Sequence, residues 1–169
     1  MILEDEIKAL RERTGASFTD LLRALLQSEG DILEAEAREV ATRFYEECEE
    51  VRQQQPASQH NRYLARVARR NVGVSIRWAK VRFFGAKGNR RRMDENVPRG
   101  ETAQYPMTSF PDAQVWEKVL ISGLEERFGP LRSRSSMIAK MAVLAATYRQ
   151  VEEGARQRQA ALEADLAKS

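Results

Sequence analysis

Between Val72 and Ala79 the hydrophobic period of this chain switches from helical to two. Val72, Val74, Ile76 and Trp78 alternate with Gly73, Ser75, Arg77 and Ala79, the pattern of a half-buried strand. The alternation slips at Ala79-Lys80, after which Val81 and Phe83 take the apolar phase, so the spacing predicts either a bulge or a two-sided strand. Gly85-Ala86-Lys87-Gly88-Asn89 reads as a hairpin loop, and Arg90 to Val97 as the returning strand. Helical patterns flank this segment on both sides. The expected fold is therefore α+β and mostly helical, with a small antiparallel hairpin at about residues 72–97 clasped by N-terminal helices and a long C-terminal helix.

The helical patterns divide as follows. Ile2, Leu3, Ile7 and Leu10 predict a short opening helix that stops at Thr14-Gly15. Ser17 with Asp20 has the spacing of an acidic capping box, and Phe18, Leu21, Leu22, Leu25 and Leu26 form the stripe of a helix ending at Ser28-Glu29-Gly30. Asp31 then caps a longer acidic helix carrying Ile32, Leu33, Val40, Phe44, Tyr45, Cys48 and Val51, closed by Pro56. Ser58 to Arg70 reads as another helix, on which Arg62, Arg66, Arg69 and Arg70 share one face. Beyond Pro98-Arg99-Gly100, the run to Tyr105-Pro106-Met107 is a loop or a short third strand. Ser109 starts a helix with Trp116, Leu120, Ile121 and Leu124 inward, ending at Phe128-Gly129. Pro130 opens the last helix, which runs to about Leu166. The expected organisation is one domain, 1–169: a helical part (1–70), a basic hairpin with its loop (71–108), and a C-terminal helical hairpin (109–167).

Charge is segregated along the chain. Residues 1–61 hold 7 basic and 14 acidic side chains, residues 62–99 hold 12 basic and 2 acidic, and residues 100–169 hold 9 of each. The overall net charge of +3 conceals a middle segment at +10. Clustered Lys and Arg bind phosphates because each neutralised phosphate releases condensed counterions. The expected nucleic-acid-binding residues are Arg77, Lys80, Arg82, Lys87, Arg90, Arg91, Arg92 and Arg99 of the ribbon, interleaved with Trp78, Phe83 and Phe84, and joined by Arg62, Arg66, Arg69 and Arg70. A two-stranded ribbon fits a major groove, and aromatic rings stack on exposed bases or pack the sheet. Lys and Arg also guard exposed strand edges, and the arginine face at 62–70 equally suits pairing with the acidic helix.

Other function classes lack their signatures. The chain has no phosphate-binding glycine loop, no dinucleotide fingerprint, no zinc-protease helix and no nucleophile elbow. One cysteine, Cys48, and one histidine, His60, are too few for a four-ligand zinc site, and His60 reads as a loop residue. Tyr45, Tyr63, Tyr105 and Tyr148 are nucleophiles in principle, without the histidine cluster that relaxases use. Glu125 and Glu126 read as solvated helix positions. The expectation is a protein that is not an enzyme and carries no cofactor and no metal. No stretch is apolar enough to span a membrane, and the opening Met1 to Glu6 is acidic, so the expected location is cytoplasmic.

From the hairpin onward a series of signals resembles a known family. Val74-Ser75-Ile76-Arg77-Trp78, Arg82-Phe83-Phe84, Pro98-Arg99-Gly100, Tyr105-Pro106, Phe110, Trp116-Glu117, Glu125, Phe128 and Arg132 are similar to the MobI-like auxiliary mobilisation proteins of integrative conjugative elements and plasmids, over residues 72–148. The resemblance implies a DNA-binding accessory at the origin of transfer that helps a relaxase, and it brings no active site with it. Two alternatives share the residues: a helical adaptor for an acidic protein partner, and a DNA-binding regulator of a mobile element. The final helix, with Met137, Met141, Leu144 and Tyr148, suits a homodimer seam as well as an internal clasp.

Overall fold

The computed structural model describes Ala9, Arg13, Gly15 and residues 17–86 and 88–167; the expected opening helix and Lys87 lie outside the described residues. The first long helix, α1, spans Phe18–Gln54. Ser17 caps it as its spacing implies, its hydroxyl accepting from the Asp20 N–H at 3.2 Å and donating to the Asp20 carboxylate at 2.6 Å. The two helices expected here, separated at Gly30, are fused into one. Leu26, Gly30, Leu33, Ala37, Val40, Phe44 and Cys48 form one unbroken buried stripe. Gly30 serves close approach and not a stop: a Cβ on it would lie 2.7 Å from the Arg69 guanidinium and 2.8 Å from the Gly73 backbone nitrogen. Helix continuity outweighs the roughly 1 kcal/mol that glycine costs relative to alanine.

The expected helix at 58–70 is also corrected. A short 3-10 turn, Ala57–Gln59, leads into a strand, β1, at Tyr63–Arg69. Leu64, Ala65, Arg66 and Ala68 favour a helix locally, but pairing of all 7 residues with the next strand prevails over so weak a preference. That strand, β2, covers Val74–Phe84, and β3 covers Arg91–Asn96. All three form an antiparallel meander with β2 in the centre. Both registers run without interruption, Tyr63 opposite Lys80 through Arg69 opposite Val74, and Ala79 opposite Asn96 through Phe84 opposite Arg91. The slip at Ala79-Lys80 is thus a two-sided strand and not a bulge. The β2–β3 hairpin continues past the start of β1 as a projecting arm.

Residues opposite one another in register share a face. Tyr63, Ala65, Val74, Ile76 and Trp78 form the inner face, where Trp78 is fully buried at the centre. Its ring stands edge-on to Phe44 at 5.2 Å, Phe110 at 5.5 Å and Phe128 at 6.1 Å.

After Val97 the described residues form no further strand. The chain passes under the sheet as a loop with one 3-10 turn at Met107–Ser109, burying Tyr105 and Phe110. The helix expected from Ser109 begins later, because Phe110 turns into the core instead. Helix α2 spans Val115–Leu166, with Gln114 and Glu117 completing a capping box. It replaces the expected pair of helices by running through Pro130. Proline removes one helical hydrogen bond, but its fixed φ is compatible with a helix, and buried Phe128, Gly129, Leu131 and Arg132 hold both sides of it. Helix α2 returns antiparallel to α1, Arg134 bridging to Glu36 at 2.8 Å and Glu29 at 3.7 Å.

Candidate nucleic-acid interface

Three polar side chains of α2 bind the sheet backbone and so fix which face is presented to solvent. Glu117, fully buried, accepts the N–H groups of Arg62 and Tyr63 on one oxygen, both at 2.8 Å. Ser135 donates to the Val74 carbonyl at 2.8 Å and accepts the Val74 N–H at 2.9 Å. Between them Arg132 forms a two-pronged ion pair with Glu125, at 2.7 and 2.8 Å, and donates to the carbonyls of Ile76 and Ala103. Glu125 also accepts the Trp78 indole N–H at 2.6 Å and the Tyr105 N–H at 2.7 Å. Glu126 is exposed as expected, but Glu125 is buried, which corrects its reading as a solvated position. The available signal is an acid and an arginine seven residues apart on the same stripe as Ile121 and Phe128.

Burial pushes the Glu117 carboxyl above its ordinary value, against the opposing pull of the N–H groups of Tyr63, Arg62 and Gln114. A raised folded-state value means that the neutral form stabilises the fold at low pH, and that this contribution is lost as pH rises through it. The melting-temperature advantage of wild type over Glu117→Gln is therefore expected to shrink from pH 4.5 towards neutrality. An advantage that grows over this range in paired thermal melts would mean that the N–H groups outweigh burial.

The outer face carries Leu64, Arg66 and Ala68 of β1, Ser75, Arg77, Ala79, Val81 and Phe83 of β2, and Arg92, Asp94 and Asn96 of β3. Among the described residues no helix lies across it. Helix α1 runs along the β1 edge, where the Tyr45 hydroxyl donates to the Ala65 carbonyl at 2.5 Å, and walls off two adjoining clefts. One, of about 750 Å³, is lined by Arg38, Tyr45, Arg66 and Arg77 among others; the second, of about 600 Å³, by His60, Arg62, Val81 and Phe83. Arg52, Leu64 and Arg92 line both. Sequence reasoning misses Arg38 and Arg52, because both sit in the acidic N-terminal third, where their own helix gives them Glu34 and Glu49 as neighbours.

Asp94 lies between two of these arginines. Its carboxylate accepts from Arg92 Nε at 2.9 Å and from the Arg66 guanidinium, and the Arg92 hydrogen bond holds it below the usual carboxylate range. Arg62, Arg70, Arg77, Arg90, Arg91 and Arg99 are exposed, and no carboxylate lies within salt-bridge distance of them among the described residues.

The structure divides the residues expected at the interface. Arg62, Arg66, Arg77 and Arg92 converge on the outer clefts. Arg90 and Arg91 stand at the arm, beside Phe83, Phe84 and Met93, which are 62%, 49% and 51% exposed. Lys80 and Arg82 point to the other face and pair with Asp112 and, at 2.7 Å, with Glu95. Arg69 turns towards α1, 2.8 Å from Asp31 and 3.9 Å from Glu34. A period of two separates Arg66 from Arg69, so the shared arginine face expected of a helix at 62–70 does not exist. Arg70 lies at the turn into β2, and Arg99 in the loop after β3.

Tyr63 and Tyr105 are buried, and Cys48 is enclosed, with burial pushing its thiol up to about 12. Among the described residues no helix is long and apolar enough to cross a membrane.

The sequence model of the MobI protein family matches residues 33–145, about two-thirds of the chain. The chain belongs to the MobI protein family. Membership points to an accessory protein of conjugative mobilisation. The matched span takes in most of α1, the whole sheet, the loop beneath it and α2 as far as Ala145. Within it, Trp78, Tyr105, Phe110, Glu117, Glu125, Phe128 and Arg132 are all buried. These residues of the MobI resemblance are the scaffold that holds the outer face open. No curated protein and no solved structure matches the chain.

Proposed function

We propose that the chain is a non-enzymatic DNA-binding accessory of conjugative transfer, working without a cofactor at the origin of transfer to assist a relaxase. One observation carries the DNA-binding part: arginines crowd the outer sheet face and the arm, several of them without an acidic partner among the described residues, far beyond what protection of a strand edge requires. Membership of the MobI family supports the setting in conjugation.

The test is fluorescence anisotropy on labelled origin-of-transfer duplex and a scrambled duplex across a salt series. Replacing Arg90, Arg91 and Arg92 by alanine is expected to weaken binding and flatten the slope of log affinity against log salt by up to about 2.7, roughly 0.9 for each phosphate left without its arginine. Unchanged affinity and slope would remove both the arm and the Arg92 side of the clefts from the duplex interface. Equal affinity for both duplexes would argue against reading of the origin sequence.

A second reading, a protein adaptor or a homodimer, draws on the exposed apolar stripe of α2 formed by Met137, Leu144, Tyr148 and Val151. A nucleic-acid binder copurifies with a high ratio of absorbance at 260 to 280 nm that falls on a salt wash, and an adaptor does not.

A further inference from the structure

We infer that the outer cleft between α1 and the sheet is a binding site for single-stranded DNA, an inference that rests on the DNA-binding reading above and adds the form of the substrate. Three observations carry it.

First, the floor is apolar where a duplex-binding surface is ordinarily polar. Leu64 lies at the base of both adjoining clefts, and half-buried Val81 and exposed Phe83 give the second of them an apolar surface. A duplex offers phosphates outward and keeps its bases stacked inside, so it has nothing to lay on such a floor. An unpaired strand presents base faces.

Second, aromatic rings border the cleft. Tyr45 is held by its hydroxyl at the α1 wall and is 39% exposed as a residue, and Phe83 stands 62% exposed opposite Arg92. From Arg77 to Phe83 the strand runs about 20 Å at roughly 3.3 Å per residue. That is room for about six nucleotides stacked at 3.4 Å.

Third, the guanidiniums of Arg66 and Arg92 converge on one anion position, which the Asp94 carboxylate now occupies. A phosphate has the same charge sign and oxygen acceptors, and the adjacent Arg77, without a carboxylate of its own among the described residues, gives it a third donor. Phosphates along the arginines and bases on Tyr45, Val81 and Phe83 satisfy the two sides of the cleft together.

The experiment measures anisotropy of a labelled oligothymidine, which cannot pair with itself, and of a mixed-sequence duplex, with the full chain. Arg66→Ala/Arg77→Ala is expected to weaken oligothymidine binding about tenfold or more while duplex binding, carried by the arm, changes far less. Phe83→Ala is expected to weaken oligothymidine binding about tenfold with no change in salt slope, since a ring releases no counterions. All three side chains are exposed, so thermal melts should match wild type. Ultraviolet cross-linking of bromodeoxyuridine-substituted single strand to the wild-type chain, mapped by mass spectrometry, is expected to label Tyr45 or Phe83.

Cleft variants that leave oligothymidine binding unchanged, or that weaken both DNA forms equally, would overturn the inference. So would cross-links confined to other peptides. Salt-sensitive duplex binding by a wild-type chain that ignores oligothymidine would overturn this inference alone and leave the DNA-binding reading standing. Failure to bind either form would overturn both.

Discussion

Arg132→Ala is expected to cost about 3–5 kcal/mol of unfolding free energy, the range for breaking a buried ion pair by deleting one member. Both partners are almost fully enclosed, with side chains 4% and 6% exposed. Removing the guanidinium leaves the Glu125 carboxylate charged among Trp78, Tyr105 and Phe128, with only the indole and one backbone N–H to satisfy it. It also orphans the carbonyls of Ile76 and Ala103, and removes the cation that sits 4.8 Å from the Tyr105 ring centre. A small domain holds a margin of about 5–15 kcal/mol, so the variant should sit near the edge of folding. Replacing both partners, Glu125→Leu with Arg132→Met, is expected to be less damaging than Arg132→Ala alone, because no unpaired charge remains. Urea denaturation of the three proteins decides this. A double variant less stable than the single would mean that the pair contributes more than mutual neutralisation.

Trp78→Ala is the second large expected effect, again about 3–5 kcal/mol. The indole fills the centre of the inner face, touching α1 through Phe44, the loop beneath the sheet through Phe110, and α2 through Phe128. No single neighbour can collapse into the space, because three elements with separate anchors meet there. The loss of the N–H to Glu125 adds to the cavity cost. Trp78→Phe keeps most of the volume and loses the hydrogen bond, so it is expected to fall between wild type and Trp78→Ala. Denaturant midpoints measure the series, and an alanine variant within about 1 kcal/mol of wild type would show that the three elements are held together elsewhere.

The helix breaks expected at Gly30 and Pro130 are absent for one reason. Both residue types interrupt helices when nothing else constrains them, and here each is held by packing: Gly30 lies under Arg69 and Gly73, and exposed Pro130 follows Gly129, which lies under Gln104. A Cβ on Gly129 would approach the Gln104 side chain to 2.6 Å, so this glycine is a point of close approach of the same kind as Gly30. Segment 58–70 reads as a helix because its leucine, alanines and arginines favour one, and only β2 lying alongside makes them a strand.

The sequence by itself determined the hairpin, the α+β class, the Ser17 cap, the basic middle third and the MobI likeness. The first four follow from neighbours a few residues apart, through side-chain period, turn chemistry, capping or local charge, and the likeness rests on short signals spread from Val74 to Arg132. Tertiary structure alone decided which arginines lie together. Arg38 and Arg52 of the acidic third join Arg66, Arg77 and Arg92 across the β1 edge, while Arg69, Lys80 and Arg82, although in the basic segment, are drawn off into ion pairs. A strand sends successive side chains to opposite faces, so a run of charge in sequence becomes two surfaces in space, and the helices cover only one of them.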